Sequence, residues 1–383
     1  MFAGFFMGGF ECSTHRLKSG RRLDLVAATK HDRFCDLDYA RLRAQGMRVA
    51  REGIRWHLIE RTPSQYDFSS AMPMVAAARR HGIQVLWDVC HYGWPDDIDI
   101  FRPEFVRRYS RFASAFAQWL ADQSAGPFFF APINEISYFA WAGADDPHLN
   151  PYCRGRGFEL KCQLVRAALE GVEAIREALP QARFLHVDPL IHIVPHPNRP
   201  KDRPAAEGYR LAQFQAMDMV AGRIWPQLGG DEKDLDIIGL NFYPNNEWIY
   251  QGRALRPGHQ LYRPLRELLL EVHHRYGRPL FIAETGTEGR RRAPWLRYVC
   301  EEVRAAMDAG VPLHGICLYP VVNHPGWINQ RHCYNGLWDY ADDEGERPIY
   351  RPLARELQAA RSLFEEAQEY EGLDLEEKGI TDY

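Results

Sequence analysis

The sequence predicts a single-domain α/β fold, the (β/α)8 TIM barrel, and three observations carry that expectation. Eight short β-rich runs recur along the 383 residues, each separated from the next by a helical pattern or a loop. Eight strand-then-helix units is the count of a closed parallel barrel. Several connecting stretches end in basic residues followed by glycine, the ending that suits a crossover helix. An open doubly wound sheet would normally offer a glycine-rich phosphate turn after its first strand, and Gly8-Gly9-Phe10-Glu11 does not make G-x-G-x-x-G.

Taken in order, the first run is Ala3–Phe10. It belongs to an apolar opening that lacks a basic leader and runs directly into Glu11, so it reads as a strand rather than a secretory signal. The second run is Arg48–Gly53. The third, Gln84–His91, follows Arg79-Arg80-His81-Gly82, where basic residues favour the negative helix end and glycine supplies the left-handed stop. A helical stretch over Phe105–Gln123 leads to the fourth run, Phe128–Glu135, and one over Cys162–Leu179 leads to the fifth, Ala182–Leu190. Glu207–Val220 precedes Asp236–Tyr243, Pro264–Tyr276 precedes Pro279–Gly286, and Pro294–Ala309 precedes His314–Asn323. The amphipathic stretch Pro352–Tyr370 closes the series. The barrel is therefore expected over residues 1–371, with an acidic tail over 372–383 and no linker between domains.

The bulk properties exclude several classes of function. At 46% hydrophobic and 26% charged, the chain has the composition of an ordinary globular protein with ample core material. A net charge of −4, with basic residues dispersed rather than striped, gives no footprint for nucleic acid or an anionic membrane. No apolar run is long enough to span a bilayer. The eight cysteines show neither CxxC nor CxxH spacing, so free thiols in a reducing cytoplasm are expected.

Glu135 and Glu284 are the residues most telling of chemistry. Each is the last charged residue of an apolar run, Phe128-Phe129-Phe130-Ala131-Pro132-Ile133-Asn134-Glu135 and Pro279-Leu280-Phe281-Ile282-Ala283-Glu284. In a parallel barrel the C-terminal strand ends form the active face, and strands four and seven lie roughly across from each other. Two carboxylates so placed suit glycosidic cleavage, in which one acid protonates the departing oxygen and a second carboxylate attacks or activates water. A separation of about 5 to 5.5 Å would mean a nucleophile and retained configuration. The longest connections follow runs four, five, six and eight. They leave the same face and are rich in His, Trp, Tyr, Asn and Arg, which suit a small neutral glycoside.

Two other readings compete. A metal-dependent hydrolase could use His186 and Asp188, which alternation places on one face, with His192 and His196 nearby. Against it, the first run lacks a His-x-His pair and Pro195 breaks any helical pairing of His192 with His196. A catalytically silent sugar-binding barrel is the third reading, and it has no need of two strand-end carboxylates with their supporting polar residues. No cofactor and no metal is expected.

The strand-end motifs resemble those of the clan of barrel glycosidases that includes the family 1 β-glycosidases. Asn134-Glu135 looks like that clan's Asn-Glu pair, which implies an acid/base Glu135 and an Asn134 that contacts a sugar hydroxyl. Ile282-Ala283-Glu284-Thr285-Gly286 is similar to I-T-E-N-G, which implies that Glu284 is the nucleophile. His91-Tyr92-Gly93-Trp94-Pro95 resembles H-W-D-L-P, and Gly239-Leu240-Asn241-Phe242-Tyr243 resembles G-L-N-Y-Y. The first implies a glycone contact for His91, with Trp94 beside it; the second implies that Tyr243, near Asn241, hydrogen-bonds the nucleophile. Arg51 is the candidate for the basic neighbour that holds Glu284 ionised while Glu135 keeps its proton, with Arg55 as the alternative. The matches run over nearly the whole chain.

The departures bear on the glycone. Asn323-His324-Pro325-Gly326-Trp327 resembles D-N-F-E-W but carries Gly326 where the family has the Glu that grips the 4- and 6-hydroxyls. Trp327 remains as a stacking wall, and a sugar without a 6-hydroxyl stays open. The family's first-strand Gln is replaced in that region by Glu11, and Ile136 stands where the family has Pro.

Overall fold

The computed structural model describes residues 1–377, with side-chain surroundings through Phe364. Eight parallel strands close into one barrel: β1 Phe6–Gly9, β2 Val49–Gly53, β3 Gln84–Asp88, β4 Phe129–Ala131, β5 Arg183–Pro189, β6 Ile237–Asn241, β7 Leu280–Thr285 and β8 Leu313–Leu318. Every one falls inside or within a residue of its predicted run. Each strand neighbours the next in sequence, and β8 closes on β1 through Phe6↔Ile316 to Gly8↔Leu318.

The strands are legible because both faces are buried, so each reads as a nearly continuous apolar run. One face fills the barrel with Met7, Val49, Leu86, Phe129, Val187 and Phe281, among others. The other face meets the helical layer. The principal crossovers are α1 His31–Ala44, α2 Met72–His81, α3 Pro103–Gln123, α4 Gly157–Ala178, α5 Gln215–Val220, α6 Leu265–Tyr276, α7 Arg292–Asp308 and α8 Arg351–Glu377. In α3 a proline stands in the first turn, where its missing N–H costs nothing, and Phe105, Tyr109, Phe112, Phe116 and Leu120 recur every three or four residues on the buried face. Gly82 and Gly277, directly after α2 and α6, have φ of 60°, so glycine supplies the left-handed stop there.

The departures lie on the C-terminal face. The connection after β4 contains a helix, Ile136–Ala144, hidden in the sequence because almost every residue in it is apolar and no period shows. The helix expected over Glu207–Val220 is broken into Arg203–Leu211, a 3-10 turn Ala212–Phe214 and α5. The Gln213 amide donates to the carbonyls of Arg210 (2.7 Å) and Ile191 (3.0 Å), tying the break to the loop after β5. That loop and the one after β6 pair as a short parallel ribbon, His192–Val194 with Glu247–Ile249. None of the described helices is long and apolar enough to cross a membrane. Of the acidic tail expected over 372–383, residues 378–383 lie outside the described residues and 372–377 continue α8.

Candidate active site

The C-terminal ends of the strands open into a cavity of about 1060 Å³, with Glu135, Glu284, Glu11, His91, Tyr243 and Trp327 on its wall. Strand alternation and one irregularity build its floor. On β2, Arg51 follows Val49 by two residues and so faces the barrel interior; Asp88 follows Leu86 in the same way on β3. On β7 the interior residues are Phe281 and Ala283, so strict alternation would turn Glu284 outward. The pairing with β6 slips between Leu240↔Ile282 and Asn241↔Glu284, and this bulge re-aims the carboxylate into the cavity.

Arg51 is fully buried and organises the floor. Its Nη1 donates to Glu284 Oε1 at 2.8 Å and to the Ala283 carbonyl at 3.1 Å; its Nη2 donates to Asn134 Oδ1 at 2.7 Å and pairs with Asp88 at 2.8 Å. The second oxygen of Glu284 accepts from the Tyr243 hydroxyl at 2.8 Å. Arg55 is elsewhere, paired with Asp24 and Asp32.

Glu135 is the residue just before the helix Ile136–Ala144 and has φ of 48°, a left-handed conformation uncommon for a side chain of its size. Asp188, at the end of β5, accepts both the Ser137 N–H (3.0 Å) and the Ser137 hydroxyl (2.8 Å), pinning that helix start. The Glu135 carboxyl receives Asn241 Nδ2 at 2.8 Å and the Tyr92 hydroxyl in a short contact. Tyr92 also has a positive φ, 62°. Its role is not visible in the sequence, where it is one aromatic beside His91; the left-handed residue followed by Gly93 is the only local signal.

The remaining sequence candidates divide between the cavity and the layer behind it. His91 Nδ1 lies 2.9 Å from Asp88 Oδ2, and its Nε2 lies 3.2 Å from Asn134 Nδ2. Asn134 and Asn241 are buried behind the wall rather than on it, with Asn134 committed to Arg51, His91 and Tyr92. Through these partners Asn134 joins the supports of the two carboxylates. Trp327 lines the cavity and meets Tyr92 edge-on. Trp94 is off the cavity: it packs between Phe105 and Phe139 and donates to the Ile98 carbonyl at 3.0 Å, so it is core. Tyr319, passed over in the sequence, stands on the wall across from Gly9, where a Cβ would come within 2.2 Å of its ring.

The metal reading finds no support in the placement of its residues. His186 and Asp188 share the outward face of β5, as alternation predicts, but His186 Nε2 contacts the Asp234 carbonyl at 2.7 Å and Asp188 is taken up by Ser137. The described trio within metal-ligand reach is Cys12, Asp88 and His91. Its atoms are already in mutual hydrogen-bond contact, Arg51 occupies Asp88, and burial pushes the Cys12 thiol up to about 11, so these residues do not fit a resident cation.

Burial, together with the neighbouring Glu284, pushes the Glu135 carboxyl up to about 8, against the donors Tyr92 and Asn241. Burial also raises Glu284, while Arg51, His91 and Tyr243 pull it back down. Arg51 therefore acts in the anticipated direction, but desolvation outweighs it. Two neighbouring buried carboxylates cannot both ionise cheaply, which favours one proton and one charge on the pair. The guanidinium touches Glu284, which favours the charge there and the proton on Glu135.

Two expectations follow for pH. If proton donation by Glu135 limits turnover, the alkaline limb of kcat/KM should lie near 8, and Tyr92→Phe should move it higher by deleting a donor to the carboxylate. A limb that stays put in Tyr92→Phe would count against this coupling. The raised Glu135 value also stabilises the fold below the ordinary value of 4.5, a contribution lost as pH climbs through about 8. Glu135→Gln should accordingly raise the melting temperature more at about pH 9 than at about pH 5, read by calorimetry.

No family model and no curated protein matches the sequence. Solved structures do match in fold. The chain shares the closed (β/α)8 barrel fold of these structures. It superposes on a family 1 β-glucosidase from Thermotoga maritima with a TM-score of 0.76 at 14% identity, covering 94% of this chain and 98% of that one. The same β-glucosidase in complex with glucoimidazole gives 0.76 at 16%. The AHE enzyme from Alicyclobacillus herbarius gives 0.76 at 17%, covering 95% of this chain and all of the other.

Proposed function

We propose that the protein is a retaining, exo-acting β-glycosidase that hydrolyses small glycosides by double displacement. The observation that carries this reading is the unequal pair at the cavity: Glu284 held at 2.8 Å by the buried Arg51 guanidinium and by Tyr243, and Glu135 held by Asn241 and Tyr92 with no cation against it, where burial pushes its carboxyl up to about 8. In the first step Glu284 attacks the anomeric carbon, the glycosidic C–O bond breaks, and Glu135 gives its proton to the leaving oxygen. In the second, Glu135 takes a proton from water, whose oxygen displaces Glu284 from the same carbon, restoring both carboxyls. Tyr243 and Arg51 hold the nucleophile, and Asn241 and Tyr92 hold the acid. The fold shared with β-glucosidases supports the same class of substrate, and the eight free thiols support a cytoplasmic setting.

The glycone is read from a panel of nitrophenyl β- and α-glycosides that includes glucoside, galactoside, fucoside and xyloside arms. Release from at least one β-glycoside, absent in Glu284→Gln, is the expected result. Equal activity in that variant, or loss of activity on chelation, would defeat the reading. Because Gly326 stands where the resemblance would put the Glu that grips the 4- and 6-hydroxyls, fucoside or xyloside should be cleaved at least as well as glucoside.

A further inference from the structure

Independently of the glycosidase reading, we infer that His31 is a positioning residue for the cavity: as an imidazolium it latches the connection that follows β8, and the latch opens when that proton leaves. Glu52 follows Arg51 on β2, so it points out of the barrel toward α1. His31, the first residue of α1, bridges two carboxylates there. Its Nδ1 lies 2.8 Å from Asp38 Oδ2 and its Nε2 2.8 Å from Glu52 Oε1. Asp38 also receives Arg347 at 2.6 and 3.0 Å and Arg41 at 2.9 Å, and Glu52 Oε1 receives the Tyr39 hydroxyl at 2.8 Å. Carboxylates so supplied only accept, so both ring nitrogens of His31 must donate, which makes the ring a cation. Phe10, just after β1, stacks on it at 3.7 Å. Among the described residues His31 is the one cation against Glu52, and both are fully buried.

Arg347 carries the latch to the cavity wall. It belongs to the connection after β8 and also donates to the Thr29 carbonyl at 2.8 Å, while Arg41 donates to the Gly345 carbonyl at 2.7 Å. Nearer the surface, Lys30 meets Asp343 and Arg41 meets Glu346. Arg347 Nη1 donates to the Asp339 carbonyl at 3.3 Å, and the Asp339 carboxylate accepts Asn323 Nδ2 at 2.9 Å and lies 3.1 Å from His332 Nε2. His332 pairs with Pro325 in the hairpin that holds Trp327. A neutral His31 would turn a bare nitrogen toward one of its carboxylates, both of them out of reach of water. Burial disfavours the charged ring, yet Glu52 and Asp38 outweigh it and hold His31 up at about 9. The hold is therefore complete below the ordinary value of 6.5 and lost as pH climbs through about 9. The neighbouring Cys35 and Tyr39 do not charge in that window: burial pushes the thiol up to about 12 and the phenol well above its ordinary value.

Amide hydrogen exchange reads the latch without a substrate, so its outcome is separate from that of the glycosidase reading. Protection factors divide out the intrinsic pH dependence of exchange. The amides of Trp338, Asp339 and Tyr350 are bonded within the connection and to Val321. With one proton lost near pH 9, their protection should fall about tenfold between about pH 8 and about pH 10, together with that of the peptide carrying Trp327. The amides of β4 should keep theirs. In His31→Gln, which has no proton to lose there, protection of the connection should be low already and flat across the range. Tyr39→Phe removes a neutral donor from Glu52 and leaves the imidazolium as its only partner, so the fall should move to higher pH. A purely structural tyrosine would not give that direction, and this variant decides the matter where His31→Gln does not fold. Protection that ignores pH in the wild type, an equal fall in His31→Gln, or a Tyr39→Phe midpoint that stays or drops overturns the inference. A fall that spares the Trp327 peptide overturns the link to the cavity.

Discussion

Glu284→Gly is expected to lower kcat/KM on an activated β-glycoside by about 10⁴- to 10⁶-fold, the scale seen when a nucleophile is removed from a hydrolytic site. The shortened side chain leaves space beside the anomeric carbon, and the Arg51 guanidinium and Tyr243 hydroxyl that faced the carboxylate are left facing that space. An added anion such as azide should occupy it, attack from the same side and restore turnover, giving an α-glycosyl azide. Inverted product under azide is the signature of a lost nucleophile. Rescue that gives a β-glycosyl azide would instead assign Glu284 to acid/base work and exchange the two roles.

Arg51→Met should destabilise the fold by about 3–5 kcal/mol, since it removes one partner of a buried ionic cluster and leaves the other charges uncompensated. Methionine approximates the stem in volume, so the loss is electrostatic rather than a cavity effect. Asp88 would keep only His91 and the Cys12 thiol, Asn134 Oδ1 would lose its donor, and Glu284 would keep Tyr243 alone. The orphaned carboxyls would then rise, so the deficit should grow as pH is raised and shrink toward acid. Urea unfolding at two pH values reads both features. Arg51→Lys should recover only part of the loss, because one ammonium cannot serve acceptors spread around a planar fork.

The sequence displayed the barrel and its two carboxylates for a physical reason. Strands buried on both faces are apolar runs, and a charged residue at the end of such a run marks where the strand leaves the core. The finer geometry depends on contacts that no local pattern encodes. Glu284 faces the cavity only because β6 and β7 slip in register, whereas alternation from Ala283 would turn it away. The helix that carries Tyr138 and Trp141 has no polar face to reveal its period. Trp94 and Trp327 are alike in the sequence, but only the ring packed between Phe105 and Phe139 is core. Asp188 entered as a metal candidate and became the anchor of Ser137, since strand alternation gives the face of a residue and not its partner.

The central claim is that Glu284 becomes covalently bound to the glycone during turnover. Incubation with a 2-deoxy-2-fluoro glycosyl fluoride of the preferred glycone, which slows release of the intermediate more than its formation, followed by peptic digestion and mass spectrometry, tests it directly. The account predicts one added fluoroglycosyl mass on the peptide containing Glu284, accompanied by loss of activity. A label on another residue, or full turnover of an ordinary β-glycoside with inversion and no label at all, would contradict it.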